Sequence, residues 1–164
     1  MPEGASRARA RDGFTLIELV ITVAIVGILS TAIVPLVQVT MQRAKEHELR
    51  TSLRQMREAI DAYKQAVDEG RVAKRANETG YPKSLEILVA GVEDAQNPKK
   101  TKIYFLRRIP RDPMAPDGTV AAAETWGKRS YASPPDEPKA GDDVFDVYTL
   151  SAGIGLNAVP YREW

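Results

Sequence analysis

The 164-residue chain contains no cysteine, which excludes disulfides, zinc ribbons, thiol nucleophiles and CxxC redox chemistry together. Its single histidine, His47, removes two- and three-histidine metal sites and makes imidazole acid–base catalysis a poor fit. Aromatic residues are scarce at 7%, and neither sign of charge dominates, with 23 Lys and Arg against 22 Asp and Glu. A formal charge of +1 does not suit a chain that coats nucleic acid or an acidic membrane. No internal repeat is visible, and the length fits one ordinary domain.

What the chain does have is unevenly distributed. Residues 1–13 are small, polar and basic, with Arg7, Arg9 and Arg11 against Glu3 and Asp12. Phe14 to Val39 is an apolar run broken strongly only by Glu18 and Pro35. As a helix it would be about 39 Å long, enough to cross the ~30 Å hydrocarbon core of a bilayer. It is too long for the apolar region of an ordinary secretory signal. Basic residues flank it on both sides, so charge does not orient it.

The helical pattern continues past the apolar run. Leu49, Leu53, Met56, Ile60, Tyr63 and Val67 alternate at spacings of four and three, one apolar stripe on an otherwise charged helix. Glu46, Glu48, Arg50, Arg54, Arg57, Glu58, Asp61 and Lys64 are assigned to its solvated face. The pattern predicts one helix from about Thr15 to Glu69, roughly 80 Å long, stopped by Gly70 to Pro82. Beyond it, Ser84 to Val89 reads as a short helix capped by Ser84. Pro98 to Lys102 reads as a basic loop, and Ile109 to Gly118 as a series of turns. Trp126 to Ser133 and Val144 to Leu150 read as strands joined by a Pro- and acid-rich connection, with an edge strand at Val159 to Trp164. The expected fold class is α+β: a long N-terminal helix on a small antiparallel sheet.

Several candidate sites carry little. Gly153-Ile154-Gly155-Leu156-Asn157-Ala158 matches a dinucleotide fingerprint, but no room remains for the required helix and strand. Asp136, Glu137, Asp142 and Asp143 read as a solvated loop, and Asp146 as an outward strand position. Lys99, Lys100, Lys102, Arg107, Arg108 and Arg111 surround Tyr104 and Phe105, which read as a core-anchoring pair rather than a single-strand nucleic-acid surface. His47 reads as solvated, and no nucleophile has a base beside it.

Gly13-Phe14-Thr15-Leu16-Ile17-Glu18-Leu19, behind a basic leader and ahead of an apolar helix, resembles the N-terminus of type IV pilins and pseudopilins. Gly27 and Pro35 fall where that family places a glycine and a proline. Gly80-Tyr81-Pro82, Ile109-Pro110-Arg111-Asp112-Pro113, Trp126-Gly127 and Asp146-Val147-Tyr148-Thr149-Leu150-Ser151 resemble, more loosely, the major pseudopilin of type II secretion systems. The resemblance implies a pilin-like fold, with a leader over 1–13, a transmembrane and filament-core helix over 14–39 and a periplasmic domain over 40–164. It implies a non-enzymatic structural subunit of a periplasmic type II secretion pseudopilus, held in the inner membrane as a single-pass precursor.

Its implied processing is cleavage between Gly13 and Phe14 by a prepilin peptidase, followed by N-methylation of Phe14. Its implied partners are further copies of itself, other pseudopilins, the inner-membrane assembly platform and the prepilin peptidase/N-methyltransferase, with no nucleic acid. Glu18, Gly27 and Pro35 are the implied assembly residues: Glu18 pairs with the new α-amine of a neighbour, and the stretch between Gly27 and Pro35 can unwind. Without its leader the chain would carry twenty basic and twenty acidic side chains. A subunit of a surface type IV pilus, for adhesion, motility or DNA uptake, and a membrane-tethered binding domain are the alternatives. The family's calcium loop maps to Ser151 to Ala158, which here has no Asp or Glu. No cofactor and no metal are therefore expected.

Overall fold

The computed structural model of the protein describes residues 13–116 and 118–164, and of residues 31–35 only the backbone. Most of the expected leader thus lies outside the described residues. The chain divides into two compact units, the first ending at Met41 and the second running Gln42–Trp164. Helix α1, Leu16–Asp68, belongs to both.

In the first unit α1 opens on Thr15, whose backbone carbonyl accepts the Leu19 N–H at 3.1 Å. The backbone stays helical through Gly27 and Pro35. The large apolar side chains from Phe14 to Leu29 are exposed within the chain. The Thr22, Ser30 and Thr40 hydroxyls donate to carbonyls one turn back, so these three are satisfied within the helix. Among the described residues no helix is long and apolar enough to cross a membrane. The described apolar stretch before position 31 has fifteen helical residues, roughly 22 Å against the ~30 Å of a bilayer core. The span expected over 14–39 needs residues 31–35, whose side chains lie outside the description.

In the second unit the predicted stripe is the core. Leu49, Leu53, Met56, Ile60, Tyr63 and Val67 are all buried. Α1 ends at Asp68, followed by Gly70 at φ 72°, with the Arg71 N–H returning to the Ala66 carbonyl at 2.9 Å. The stripe is covered by Leu85 and Leu88 of α2, Leu85–Ala90, and by Leu106, Trp126, Val144, Val147 and Tyr161. Gly91 closes α2 at φ 73°, and a Cβ there would stand 2.8 Å from the Tyr104 ring.

Two antiparallel pairs follow. Strand β1, Val92–Glu93, pairs with β2, Lys102–Ile103, and β3, Trp126–Arg129, pairs with β4, Asp146–Thr149. In the second pair Trp126 faces Thr149 and Arg129 faces Asp146. The α+β expectation holds, with a smaller sheet than the apolar pattern suggested.

Several local expectations are corrected. Lys102 lies in a strand, not in the basic loop. Strand β3 ends at Arg129, beyond which the Ser130 N–H goes to the Lys139 carbonyl and the Tyr131 N–H to the Asp143 carboxylate instead of to β4. The expected C-terminal edge strand is one bridge, Ile154 to Pro160, and then a 3₁₀ turn, Tyr161–Glu163. Proline has no N–H to extend a ladder, and the Tyr161 N–H goes to the Gly153 carbonyl. Ser84 precedes α2 in extended conformation but makes no side-chain cap to the backbone. Its hydroxyl instead bonds the Glu86 carboxylate, holding that group below its ordinary pKa. Of the supposed aromatic anchors, Phe105 packs edge-on against Tyr63 at 5.3 Å, while Tyr104 is 63% exposed.

Candidate functional site

The first candidate site is the entry to α1. Gly13 and Phe14 precede the helix in non-helical, exposed backbone. A Cβ on Gly13 would meet nothing within 4 Å, so this glycine is not demanded by the chain's own packing. The same holds for Gly27. At Glu18 the structure adds a role that the sequence reading missed. Its N–H points to the Thr15 Oγ1 at 3.3 Å, and it is the acid of the first turn. Thr15-Leu16-Ile17-Glu18 therefore has capping-box spacing, and the carboxylate lies at the positive end of the helix. The Glu18 side chain is exposed and forms no ion pair with any described residue. Pro35 is helical in backbone. Glu18, Gly27 and Pro35 thus lie along one helix, with Gly13 and Phe14 just ahead of it, strung out in sequence order.

The second candidate is the loop Ser151–Ala158, where the structure assembles residues from both ends of the second unit. Glu46, assigned to the solvated face by its sequence neighbours, is only 8% exposed. Its Oε1 accepts the Leu156 N–H at 2.8 Å and the Tyr161 O–H at 2.9 Å. Gln42 donates to the same Tyr161 oxygen at 3.0 Å and to Glu46 at 3.3 Å. Within the loop, Gly155 N–H bonds the Val159 carbonyl at 2.9 Å, and Val159 N–H bonds the Asn157 Oδ1 at 3.2 Å. A Cβ on Gly155 would stand 2.5 Å from the Trp164 ring.

About three turns further along α1, Arg57 ties down the same end of the chain. Its Nε donates to the Asp146 Oδ1 at 2.8 Å, and its guanidinium reaches the carbonyls of Val147 and Trp164 at 3.2 and 2.9 Å. Arg129 pairs with the other Asp146 oxygen at 3.3 Å. Asp146 is thus half-buried between two guanidiniums rather than an outward strand position. Arg50 covers the Trp164 ring at 4.2 Å. No sequence signal marked Glu46 or Arg57, because their partners are about a hundred residues away.

Calcium does not fit this loop. A calcium cage takes six to eight oxygens, several of them carboxylates. Here the loop offers Ser151, Asn157 and carbonyls, and the Ser151 and Asn157 side-chain oxygens already accept N–H groups of the loop itself. Among the described residues no group of three or more His, Cys, Asp or Glu is placed to hold a metal ion. Glu46, the carboxylate beside the loop, already accepts from the Leu156 N–H, the Tyr161 O–H and the Gln42 amide.

The acidic connection before β4 also differs from its expected form. Asp136, Glu137 and Asp142 are exposed, but Asp143 is buried. Its carboxylate accepts from the Ser130 hydroxyl at 2.6 Å, the Tyr131 N–H at 2.9 Å and the Thr79 hydroxyl. Burial pushes this carboxyl up, and the three hydrogen bonds outweigh it, holding Asp143 below the ordinary carboxylate range. In the Ile109-Pro110-Arg111-Asp112-Pro113 segment, Asp112 is 1% exposed and accepts the hydroxyl of Thr149 in β4. The Trp126 indole N–H donates to the Pro110 carbonyl at 2.8 Å. That segment is a structural brace for the sheet.

Comparison with known proteins bears on both candidates. The family model of the prokaryotic N-terminal methylation motif matches residues 8–34. Type II secretion system core protein G of Klebsiella michiganensis is 26% identical over 150 residues, covering 88% of this chain and 98% of the relative. The core protein G of Vibrio cholerae is 27% identical, covering 89% of this chain and 84% of that one. The chain thus carries the prokaryotic N-terminal methylation motif and is similar over most of its length to core protein G of type II secretion systems. Core protein G of Pseudomonas aeruginosa, 29% identical over 149 residues, covers 88% of the chain and 85% of its own length. No solved structure matches the chain significantly. The match to these pseudopilins runs through the globular unit, so the resemblance is not confined to the short N-terminal motif.

Proposed function

We propose that this pilin-like chain is a structural, non-enzymatic subunit of a periplasmic type II secretion pseudopilus. It is made as a single-pass inner-membrane precursor, cut between Gly13 and Phe14, N-methylated on Phe14, and polymerised to drive protein secretion across the outer membrane. Its partners in this reading are further copies of itself, other pseudopilins, the inner-membrane assembly platform and the peptidase that processes it. The carrying observation is the Gly13 to Glu18 motif at the mouth of α1, ahead of apolar side chains that the chain leaves uncovered. First the bilayer and then neighbouring subunits would cover them. The names of the relatives and the lack of cysteine favour this reading over a surface pilus.

Processing tests it directly. The mature chain is expected to begin at Phe14 carrying one added methyl group, and Gly13→Leu is expected to accumulate as uncut precursor. Gly13 has open space around it, so a folding defect does not explain such a block. Normal cleavage of Gly13→Leu, or a mature chain that retains Met1, would refute the proposal.

A further inference from the structure

In the second unit the large aliphatic side chains left exposed gather at one end. Among the described residues they are Val120, Leu150, Ile154, Leu156 and Val159. All five lie on two loops that pack against the first turns of this unit's share of α1. Glu46 holds the Leu156 N–H, and Gln42 reaches Tyr161, two residues beyond Val159. Val120 and Leu150 line a shallow cleft with Met114 and Pro116, which border a second cleft with Lys45 and Glu48. The loop from Ser151 to Pro160 has no charged residue, in a chain that is 27% charged. Its Gly153, Gly155 and Val159 N–H groups find their acceptors within the loop itself. An uncharged loop with apolar tips and satisfied donors suits contact with hydrocarbon, where an unpaired polar group is costly.

We propose that this end of the second unit docks on the lipid surface of the membrane that anchors the chain, with Leu150, Ile154 and Leu156 entering the boundary between headgroups and acyl chains. It rests on the inner-membrane reading above and adds a second lipid contact to it. Connectivity says what covers the patch. Gln42 follows Val39, the end of the apolar run, by three residues, so it stands at most ~11 Å from it. The loops bonded to Gln42 and Glu46 are thereby kept close to a headgroup region that is itself roughly 5–8 Å deep. The first charged side chains after the run, Arg43 and Lys45, are exposed and form no ion pair with a described residue. Both suit lipid phosphates. Docked in this way, the patch is hidden from water while the chain waits in the bilayer, and extraction into a filament must first release it.

Single cysteines carrying an environment-sensitive fluorophore test the contact in the full-length chain, which has no cysteine of its own. The chain is reconstituted in phosphatidylethanolamine/phosphatidylglycerol vesicles, with or without a nitroxide on the acyl chains near the headgroup. Probes at Leu150→Cys and Ile154→Cys are expected to shift to the blue and to lose more than half of their emission to the nitroxide lipid. Tyr104 is as exposed, but its neighbour Phe105 packs on Tyr63, twenty-one residues or roughly 31 Å of helix beyond Gln42. A probe at Tyr104→Cys is expected to keep its emission. A probe at Leu29→Cys, in the apolar run, reports anchoring and is expected to be quenched. Ile154→Ser/Leu156→Ser, at two exposed positions, is expected to cut the quenching at Leu150→Cys by at least half. Undiminished quenching in that variant overturns the docking, as does quenching at Leu150 and Ile154 no greater than at Tyr104 while Leu29 is quenched. A blue shift without quenching that disappears on dilution in lipid also overturns it, because a second copy then covers the patch. No quenching at Leu29 overturns the inner-membrane reading itself.

Discussion

Replacing Glu46 is the sharpest test of how the C-terminal loop is held. In the wild-type chain its Oε1 accepts two short hydrogen bonds, from Leu156 N–H and Tyr161 O–H. A hydrogen bond to a charged group contributes ~1.5–3 kcal/mol. Glu46→Leu strands both donors in a site where the native side chain is 8% exposed. Taking the lower value for each bond gives a loss of about 3 kcal/mol. At this chain length ~1 kcal/mol moves the melting temperature by ~2–4 °C, so a drop of roughly 6–12 °C is expected. Glu46→Gln keeps an acceptor oxygen without the charge and should lose less than half as much. The assay is thermal unfolding of the purified chain in detergent, with millimolar calcium and with chelator. Because the loop is closed by the protein's own groups, calcium should not move the wild-type transition. A melting temperature for Glu46→Leu within 1 °C of wild type would refute the reasoning. So would a saturable rise of the wild type with calcium.

Two further outcomes follow from individual carboxylates. Glu18→Leu should insert and be cleaved at a near-normal level yet give few filaments, because an unpaired α-amine in a filament core costs roughly 3–5 kcal/mol at every interface. Electron microscopy of sheared material beside a membrane immunoblot reads this, and wild-type filament yield would show that Glu18 only caps its own helix. For Asp143, the folded state holds the carboxyl below its unfolded value. Its contribution is therefore full above about pH 4, the unfolded range, and fades as pH falls through the lower folded value. Asp143→Asn should melt lower than wild type at neutral pH, and the gap should narrow toward pH 2. A gap that stays constant across that range would refute the assignment.

The sequence by itself determined whatever depends on local period and on short motifs. Alternating spacings of four and three put Leu49 to Val67 on one face of a helix, and those residues are the core. Thr15 and Gly70 bounded that helix within a residue or two, because capping and left-handed turns are chosen by the residues that make them. The motif at Gly13 to Glu18 was equally legible, since a run of adjacent residues needs no folding to be seen.

Only the tertiary structure decided the fate of the charged residues. Glu46, Asp143 and Asp146 share the spacing and neighbours of solvated carboxylates. Each becomes buried or half-buried because donors arrive from elsewhere in the chain: Leu156 and Tyr161 for Glu46, Thr79 and Ser130 for Asp143, Arg57 and Arg129 for Asp146. A polar group can be buried only where its partners meet it, and sequence pattern carries no record of partners up to 115 positions away. The same reason turned the expected C-terminal strand into a 3₁₀ turn. Tyr161 and Trp164 follow their side-chain partners on α1, Glu46 and Arg50, and the backbone gives up a ladder that only one bridge would have begun.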